Sequence, residues 1–156
     1  MATRSTISVL QKDKSVKSVY CHWDGNLQGL GETLLKHYST YERANALVAL
    51  GGLSSVYENL NPLPEAPEAF PKSDITEILT THSFDRPQRG VTVAYHRDRK
   101  EKFEQQVHDS LKSFHENNEF QRYNYLFKEG QWHAMGEDLK EGEWMLLTQE
   151  LIDEEE

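Results

Sequence analysis

The chain has 156 residues, of which 37% are hydrophobic and 28% charged, and its formal net charge at pH 7 is −9. That length is about one domain and is long enough to bury a real core. The sequence contains neither the roughly 20 consecutive apolar residues that cross a bilayer nor a stripe of Lys and Arg, so we expect no membrane and no duplex nucleic acid as partners.

The first predicted element is a β-hairpin. Residues 4–10 and 16–23 are rich in β-branched and aromatic side chains, and the residues between them have turn composition. Alternate residues of a strand share a face, so we expect Cys21 and Trp23 to pack together in the core. Cys21 is the only cysteine, which excludes an internal disulfide and a multi-thiolate metal site within the chain.

Two short helices are predicted next. Apolar residues at helical spacing begin at Leu30 and recur over residues 41–50. Ser39 and Glu42 match a capping box between the two helices, and the glycine pair that begins at Gly51 ends the second one.

The second half of the chain predicts a loop, a strand, a helix and a second hairpin. Residues 59–73 contain four of the five prolines and predict a long surface loop. Residues 91–96 have strand composition, and apolar side chains at helical spacing predict a helix over residues 100–116. Residues 119–128 and 131–135 flank a Glu-Gly turn and predict a hairpin.

The chain ends in an acidic segment. Between Glu137 and Glu156 there are nine acidic residues and one base, Lys140. We expect residues 1–136 to form a single α+β domain and residues 137–156 to form a partly helical segment that is packed or trailing. The whole pattern predicts an α+β fold with a single antiparallel sheet of about five strands, made of two hairpins plus a central strand, and with helices packed on one face.

The stretch YCHWDGNLQGLG, residues 20–31, has three possible interpretations. As a metal site it offers only His22 and Asp24 on one strand face, fewer than the four ligands of a usual zinc site. As a phosphate cradle it places three glycines ahead of a helix whose N–H groups favour an anion, but it lacks the Lys of a Walker loop. As the end of a strand it is simply a turn, because Asp-Gly-Asn is turn chemistry. The three glycines are Gly25, Gly29 and Gly31.

The stretch HRDR, residues 96–99, is the second concentration of polar side chains. Arg97 and Arg99 suit bidentate binding of phosphate or carboxylate, and His96 titrates near neutral pH. Alternatively, the stretch is a solvated connection in which Asp98 caps a helix and the arginines form surface ion pairs worth at most about 1 kcal/mol each.

The two stretches would form one nucleotide-sized cleft if the sheet brought them together. No catalytic nucleophile motif is present, and we predict no catalytic residue, no metal ligand and no cofactor. The candidate ligand-binding residues are Arg4, His22, Asp24, Gly25, Gly29, Gly31, His96, Arg97, Asp98 and Arg99.

Three stretches of the sequence resemble a family of small conserved proteins of tailed bacteriophages and prophages. They are MATRSTI at the start, YCHWDG with the following GLG and LLKHY, and the stretch from HSFDRP to GVTVAYHRDR. The resemblance runs from the first residue to about Trp132. This chain has Asn26, Leu27 and Lys100 where the family usually has an aromatic residue, a proline and a glycine.

The resemblance implies a non-structural phage protein located in the host cytoplasm. Small accessory proteins of this kind commonly interfere with host enzymes or defence systems. We therefore expect a non-catalytic protein that binds a host bacterial protein. The alternative is a binder or enzyme for a nucleotide or another small phosphorylated ligand at the His, Asp, Arg and Gly residues named above. Neither interpretation fixes the oligomeric state.

Overall fold

The computed structural model describes residues 3–60, 90–136 and 144–154, which form one mixed sheet and five α-helices. The strands are β1 (Ser5–Leu10), β2 (Val16–Cys21), β3 (Leu53–Ser55), β4 (Val93–Ala94), β5 (Gln106–His108), β6 (Tyr123–Lys128), β7 (Gln131–Gly136) and β8 (Met145–Leu146). The helices are α1 (Glu32–His37), α2 (Tyr41–Val48), α3 (Tyr95–Arg99), α4 (Leu111–Asn117) and α5 (Gln149–Glu154). The predicted loop over residues 59–73 lies outside the described residues beyond position 60.

Both predicted hairpins are present. Strands β1 and β2 pair antiparallel with Ile7 opposite Val19, and β6 and β7 pair antiparallel around the predicted Glu129-Gly130 turn. Tyr123, Tyr125 and Phe127, on one face of β6, pack in the core.

The prediction of an antiparallel sheet with about five strands was wrong. The sheet has eight strands in the order β4-β3-β2-β1-β6-β7-β8, and β5 also pairs with β2. Strand β1 pairs parallel with β6, Ile7 lying opposite Tyr125, and β2 pairs parallel with β3. The reason is that β1, which pairs with β2 on one edge, is buried on both faces, so its other edge takes a strand from far along the chain.

Helices lie on both faces of the sheet, although the sequence predicted helices on one face. The larger core contains residues of β1 together with Leu34 of α1, Leu47 of α2 and Ile152 of α5. A second, smaller core joins Phe114 of α4 to Val16 and Leu126. The sequence does not indicate that this second face is buried, because the residues of β1 on it are the polar Thr6 and Ser8. Their hydroxyls are buried and bind Asn124 and Ser18, respectively.

The predicted helix over residues 100–116 was also wrong. The chain forms the short helix α3, then β5, and only then α4, whose N-cap Ser110 accepts a hydrogen bond from Ser113 N–H. The strand predicted over residues 91–96 is shorter than expected. Strand β4 covers only Val93–Ala94, because α3 begins at Tyr95. Phe103 and Val107, which suggested a helical apolar face, are 43% and 56% exposed.

The C-terminal helix α5 is part of the larger core. Its residues Leu151 and Ile152 are buried, and the Thr148 side chain accepts a hydrogen bond from Leu151 N–H at its start. The described part of the acidic segment is therefore packed against the sheet. No helix among residues 3–60, 90–136 and 144–154 has both the length and the apolar character needed to span a membrane.

Candidate functional site

A cleft of about 370 Å³ opens beside the turn that follows β2. Its two aromatic lining residues, Trp23 and Tyr57, are each 45% exposed, which is unusual for side chains of that size. We call it the Trp23–Tyr57 cleft. The polar side chains that line it are Asp24, Asn26, Gln28, Thr33 and Ser55.

The position of Trp23 follows from the way strand β2 ends. Beyond Cys21 the backbone stays beside β3, with Trp23 N–H donating to the Ser54 carbonyl at 2.9 Å. Asp24 then turns the chain at a φ of 55°, a left-handed conformation that Asp adopts more readily than most residues. The prediction that Trp23 packs in the core was wrong: β2 ends at Cys21, which is fully buried, and Trp23 lies beyond the strand and is 45% exposed.

The ring of His22 lies against the edge of the Trp23 indole, with 4.7 Å between ring centroids and an interplanar angle of 90°. The Nδ1 atom of His22 is 2.6 Å from the Tyr20 hydroxyl. These two contacts fix the imidazole between its neighbours. In this arrangement His22 positions the indole that lines the cleft.

The three predicted cradle glycines face atoms of the chain itself. A Cβ atom added to Gly25 would lie 2.6 Å from the Ser5 Cβ, and one added to Gly29 would lie 2.5 Å from the Asp24 carbonyl oxygen. A Cβ added to Gly31 would lie 3.3 Å from the Tyr125 hydroxyl. Glycine at these positions is explained by close packing of the turn.

The backbone N–H groups of this turn are also engaged. Residues Leu27–Gly31 form one turn of π-helix that leads directly into α1. The N–H groups of Gly29 and Gly31 donate to the Asn26 carbonyl, and Leu30 N–H donates to the Asp24 carbonyl at 2.8 Å. Three of the N–H groups that a phosphate cradle would present therefore bind preceding residues of the same turn.

In the HRDR stretch, Arg97 and Asp98 bind the surrounding backbone. The Arg97 guanidinium donates to the Leu60 and Thr92 carbonyls and to the Asp98 carboxylate. The same carboxylate accepts a hydrogen bond from Ala94 N–H at 2.8 Å. These bonds join the start of α3 to residue 60 and engage all three guanidinium nitrogens.

The remaining candidates of this group lie at the surface. His96 is exposed, its Nδ1 is 2.8 Å from the Glu101 carbonyl oxygen, and its ring packs against Phe103. Arg99 forms an exposed ion pair with Glu101 at 3.5 Å. Arg4 is exposed, and its carbonyl accepts a hydrogen bond from Tyr123 N–H.

The two polar stretches leave the sheet in opposite directions. Leu53 of β3 lies between Cys21 of β2 and Ala94 of β4. Since β2 and β3 are parallel, His22 and Asp24 continue alongside the later residues of β3. Strand β4 runs the other way, so Tyr95 pairs with Gly52 and the HRDR stretch continues away from the cleft.

The single thiol is not a reactive group in the folded chain. Cys21 is fully buried, and burial raises the pKa of its thiol from the ordinary value of 9.0 to about 12. The side chain therefore stays neutral near pH 7 and fills the core as a small apolar residue. Among the described residues, no group of three or more His, Cys, Asp and Glu side chains is arranged to hold a metal ion.

Comparisons of the chain with protein-family models, with curated proteins and with solved structures found no match. The site is therefore defined by its geometry. Of the ten candidate ligand-binding residues, the structure brings Asp24 and Gly29 to the cleft, and the cleft lining includes none of residues 96–99.

Sequence reasoning missed the second aromatic wall. Tyr57 follows β3 in the stretch SSVYENL, which carries no motif and no unusual composition. The sequence pattern indicates Asn26 and Gln28 only as residues of a turn. A signal for Asn26 existed in the turn chemistry itself, whereas nothing in the sequence indicated that Tyr57 would line the same cleft as Trp23.

Proposed function

We propose that this protein is a tailed-phage accessory protein of the host cytoplasm that acts without chemical turnover, by binding a host bacterial protein. The observation that carries the proposal is the Trp23–Tyr57 cleft, where two large aromatic side chains are half exposed beside a rigid turn. Partly exposed Trp and Tyr residues are the side chains most often found at the energetic centre of protein interfaces.

The state of the polar groups supports a binding role over a catalytic one. The Arg97 guanidinium and the Asp98 carboxylate hold the backbone around α3, and the Cys21 thiol is buried. His22 contacts Tyr20 and Trp23, while His96 belongs to a segment that leaves the sheet in the opposite direction. A catalytic constellation requires a nucleophile or base within hydrogen-bond reach of a partner group.

The alternative, a site for a nucleotide or another phosphorylated ligand, has less support. Such a ligand would need cationic donors or free backbone N–H groups. The described lining of the cleft contains neither Lys nor Arg, and the N–H groups of Gly29, Leu30 and Gly31 bind carbonyls of their own turn.

The proposal is tested by affinity capture from a bacterial lysate. The immobilised full chain should recover a host protein in stoichiometric amount, and the double variant W23A/Y57A should lose it. Both side chains are partly exposed, so the double variant should keep its fold, which circular dichroism and thermal unfolding check.

The matched control is the double variant V107A/L146A. Val107 and Leu146 are 56% and 45% exposed apolar residues on β5 and β8, outside the cleft lining. This variant should capture the same protein as the wild type. Failure of the wild-type chain to retain any stoichiometric partner, or equal retention by W23A/Y57A, would contradict the proposal.

A further inference from the structure

Three polar side chains that line the Trp23–Tyr57 cleft donate to the chain's own oxygens. Asn26 Nδ2 donates to Gln28 Oε1, Gln28 Nε2 donates to the Ile152 carbonyl, and Thr33 Oγ1 donates to the Gly29 carbonyl. The exposed carboxylate of Asp24, also in the lining, is a charged acceptor. A complementary ligand should therefore bring donors.

The charge of the cleft has one sign. In the part of the lining that the structure describes, Asp24 is the single charged residue. Arg43 stacks on Tyr38 and donates to the Glu58 and His37 carbonyls, and it is not among the lining residues.

We propose that the Trp23–Tyr57 cleft binds an arginine side chain of the protein partner. A guanidinium presents five N–H donors and no acceptor, which complements the carboxylate of Asp24. Its flat face stacks on indole and phenol rings, and its edge forms charge-assisted hydrogen bonds with a carboxylate. The inference rests on the proposed function and adds to it the chemistry of the residue that the partner inserts.

The recognised cation should be planar. The His22 and Trp23 rings pack at right angles with 4.7 Å between their centroids, and this contact restrains the indole. Asp24 has a φ of 55°, and its carbonyl accepts a hydrogen bond from Leu30 N–H. Trp23 and Asp24 are thus consecutive, restrained residues of one cleft lining, which suits a side chain that both stacks and donates in its own plane.

The test uses Nα-acetyl-arginine methylamide as the probe and the indole N–H signals of the full chain in nuclear magnetic resonance. The chain has three tryptophans. Trp132 Nε1 donates to the Tyr38 carbonyl and Trp144 Nε1 to His115, so these two signals serve as internal references. The W23F variant assigns the third. The probe should shift the Trp23 signal saturably and leave the other two unchanged.

Three comparisons separate the effect of charge from the effect of probe shape and from the general field of the acidic chain. Nα-acetyl-citrulline methylamide has nearly the same shape as the arginine probe and no charge. The D24N variant keeps the side-chain size and a residue that tolerates the left-handed turn. The E116Q variant removes the same charge from an exposed site on α4, outside the cleft lining.

We expect the citrulline probe and the D24N variant each to weaken binding roughly tenfold, as loss of one charge-assisted contact does, and the E116Q variant to bind as the wild type. Equal shifts with both probes, unchanged affinity in D24N, or no saturable shift of the Trp23 signal would overturn the inference. Partner capture that depends on Trp23 and Tyr57, without arginine binding, would leave the proposed function standing and reject only this deeper assignment.

Discussion

The hydroxyl of Tyr125 holds the HWDG turn to the centre of the sheet, so its removal should weaken both the fold and the cleft. Tyr125 is fully buried on β6, and its hydroxyl donates to the Gly25 carbonyl at 2.6 Å across 100 positions of sequence. Burial raises the pKa of Tyr125 well above its usual range, so the phenol is the neutral donor at any pH near 7. Substitution Y125F deletes this donor and keeps the ring.

The magnitude follows from what the substitution leaves behind. A typical intramolecular hydrogen bond contributes about 1 kcal/mol net, and a buried acceptor without a partner costs about 1–3 kcal/mol. We expect Y125F to lower the free energy of unfolding by roughly 2 kcal/mol. With a slope of about 2 kcal/mol per molar urea, the unfolding midpoint should fall by roughly 1 M.

The assay is urea unfolding followed by far-ultraviolet circular dichroism. The matched control is Y41F, which removes a partly exposed hydroxyl 3.2 Å from Gln11 Oε1 and should change stability by less than about 0.5 kcal/mol. The Trp23 indole signal should also move in Y125F, since its turn loses an anchor. A stability change below about 0.5 kcal/mol in Y125F would refute the view that this bond fixes the turn.

Three further predictions concern the core and the turn. The variant G25A should lower the unfolding free energy by about 1–3 kcal/mol in urea titrations, because its Cβ would lie 2.6 Å from the Ser5 Cβ, and wild-type stability would contradict the packing role. The variant I152A should cost about 2–4 kcal/mol, whereas L146A, at a 45% exposed position, should cost under about 1 kcal/mol, and equal losses would contradict the packing of α5. The neutral Cys21 thiol contributes stability that is complete below pH 9.0 and is lost as the pH rises towards 12, because the unfolded chain releases the proton first. Unfolding curves across that range should show a shallower loss for C21A than for the wild type, by up to about 1.4 kcal/mol per pH unit, and identical slopes would contradict the burial of the thiol.

Local chemistry accounts for the parts of the fold that the sequence predicted correctly. The β1–β2 and β6–β7 hairpins, with their turns at residues 11–15 and at Glu129-Gly130, depend on side chains within a few positions of one another. The same holds for α1 and α2 and for the stop at Gly51, whose φ is 81°. The N-cap of α2 is Thr40, one position after the predicted Ser39.

The errors have a common physical cause, which is burial decided at long range. The pattern of residues 100–116 suits a helix on its own, but pairing of β5 with β2 competes with it and buries His108. Thr6 and Ser8 are polar strand positions, yet they are buried and Asn124 and Ser18 satisfy their hydroxyls. Trp23 looks like a core residue, yet it lies beyond the end of β2 and is 45% exposed.

The candidate site shows the same division. The sequence by itself determined the turn at Asp24, the need for glycine beside it and the exclusion of a multi-thiolate metal site, because these follow from backbone conformation and residue counts. Only the tertiary structure decided that the HRDR stretch leaves the sheet away from this turn and that Tyr57 lines a cleft with Trp23. The order and direction of the strands set both outcomes. They depend on which strands pair across long sequence distances, and that pairing is decided by the whole buried surface, which no short stretch of sequence shows.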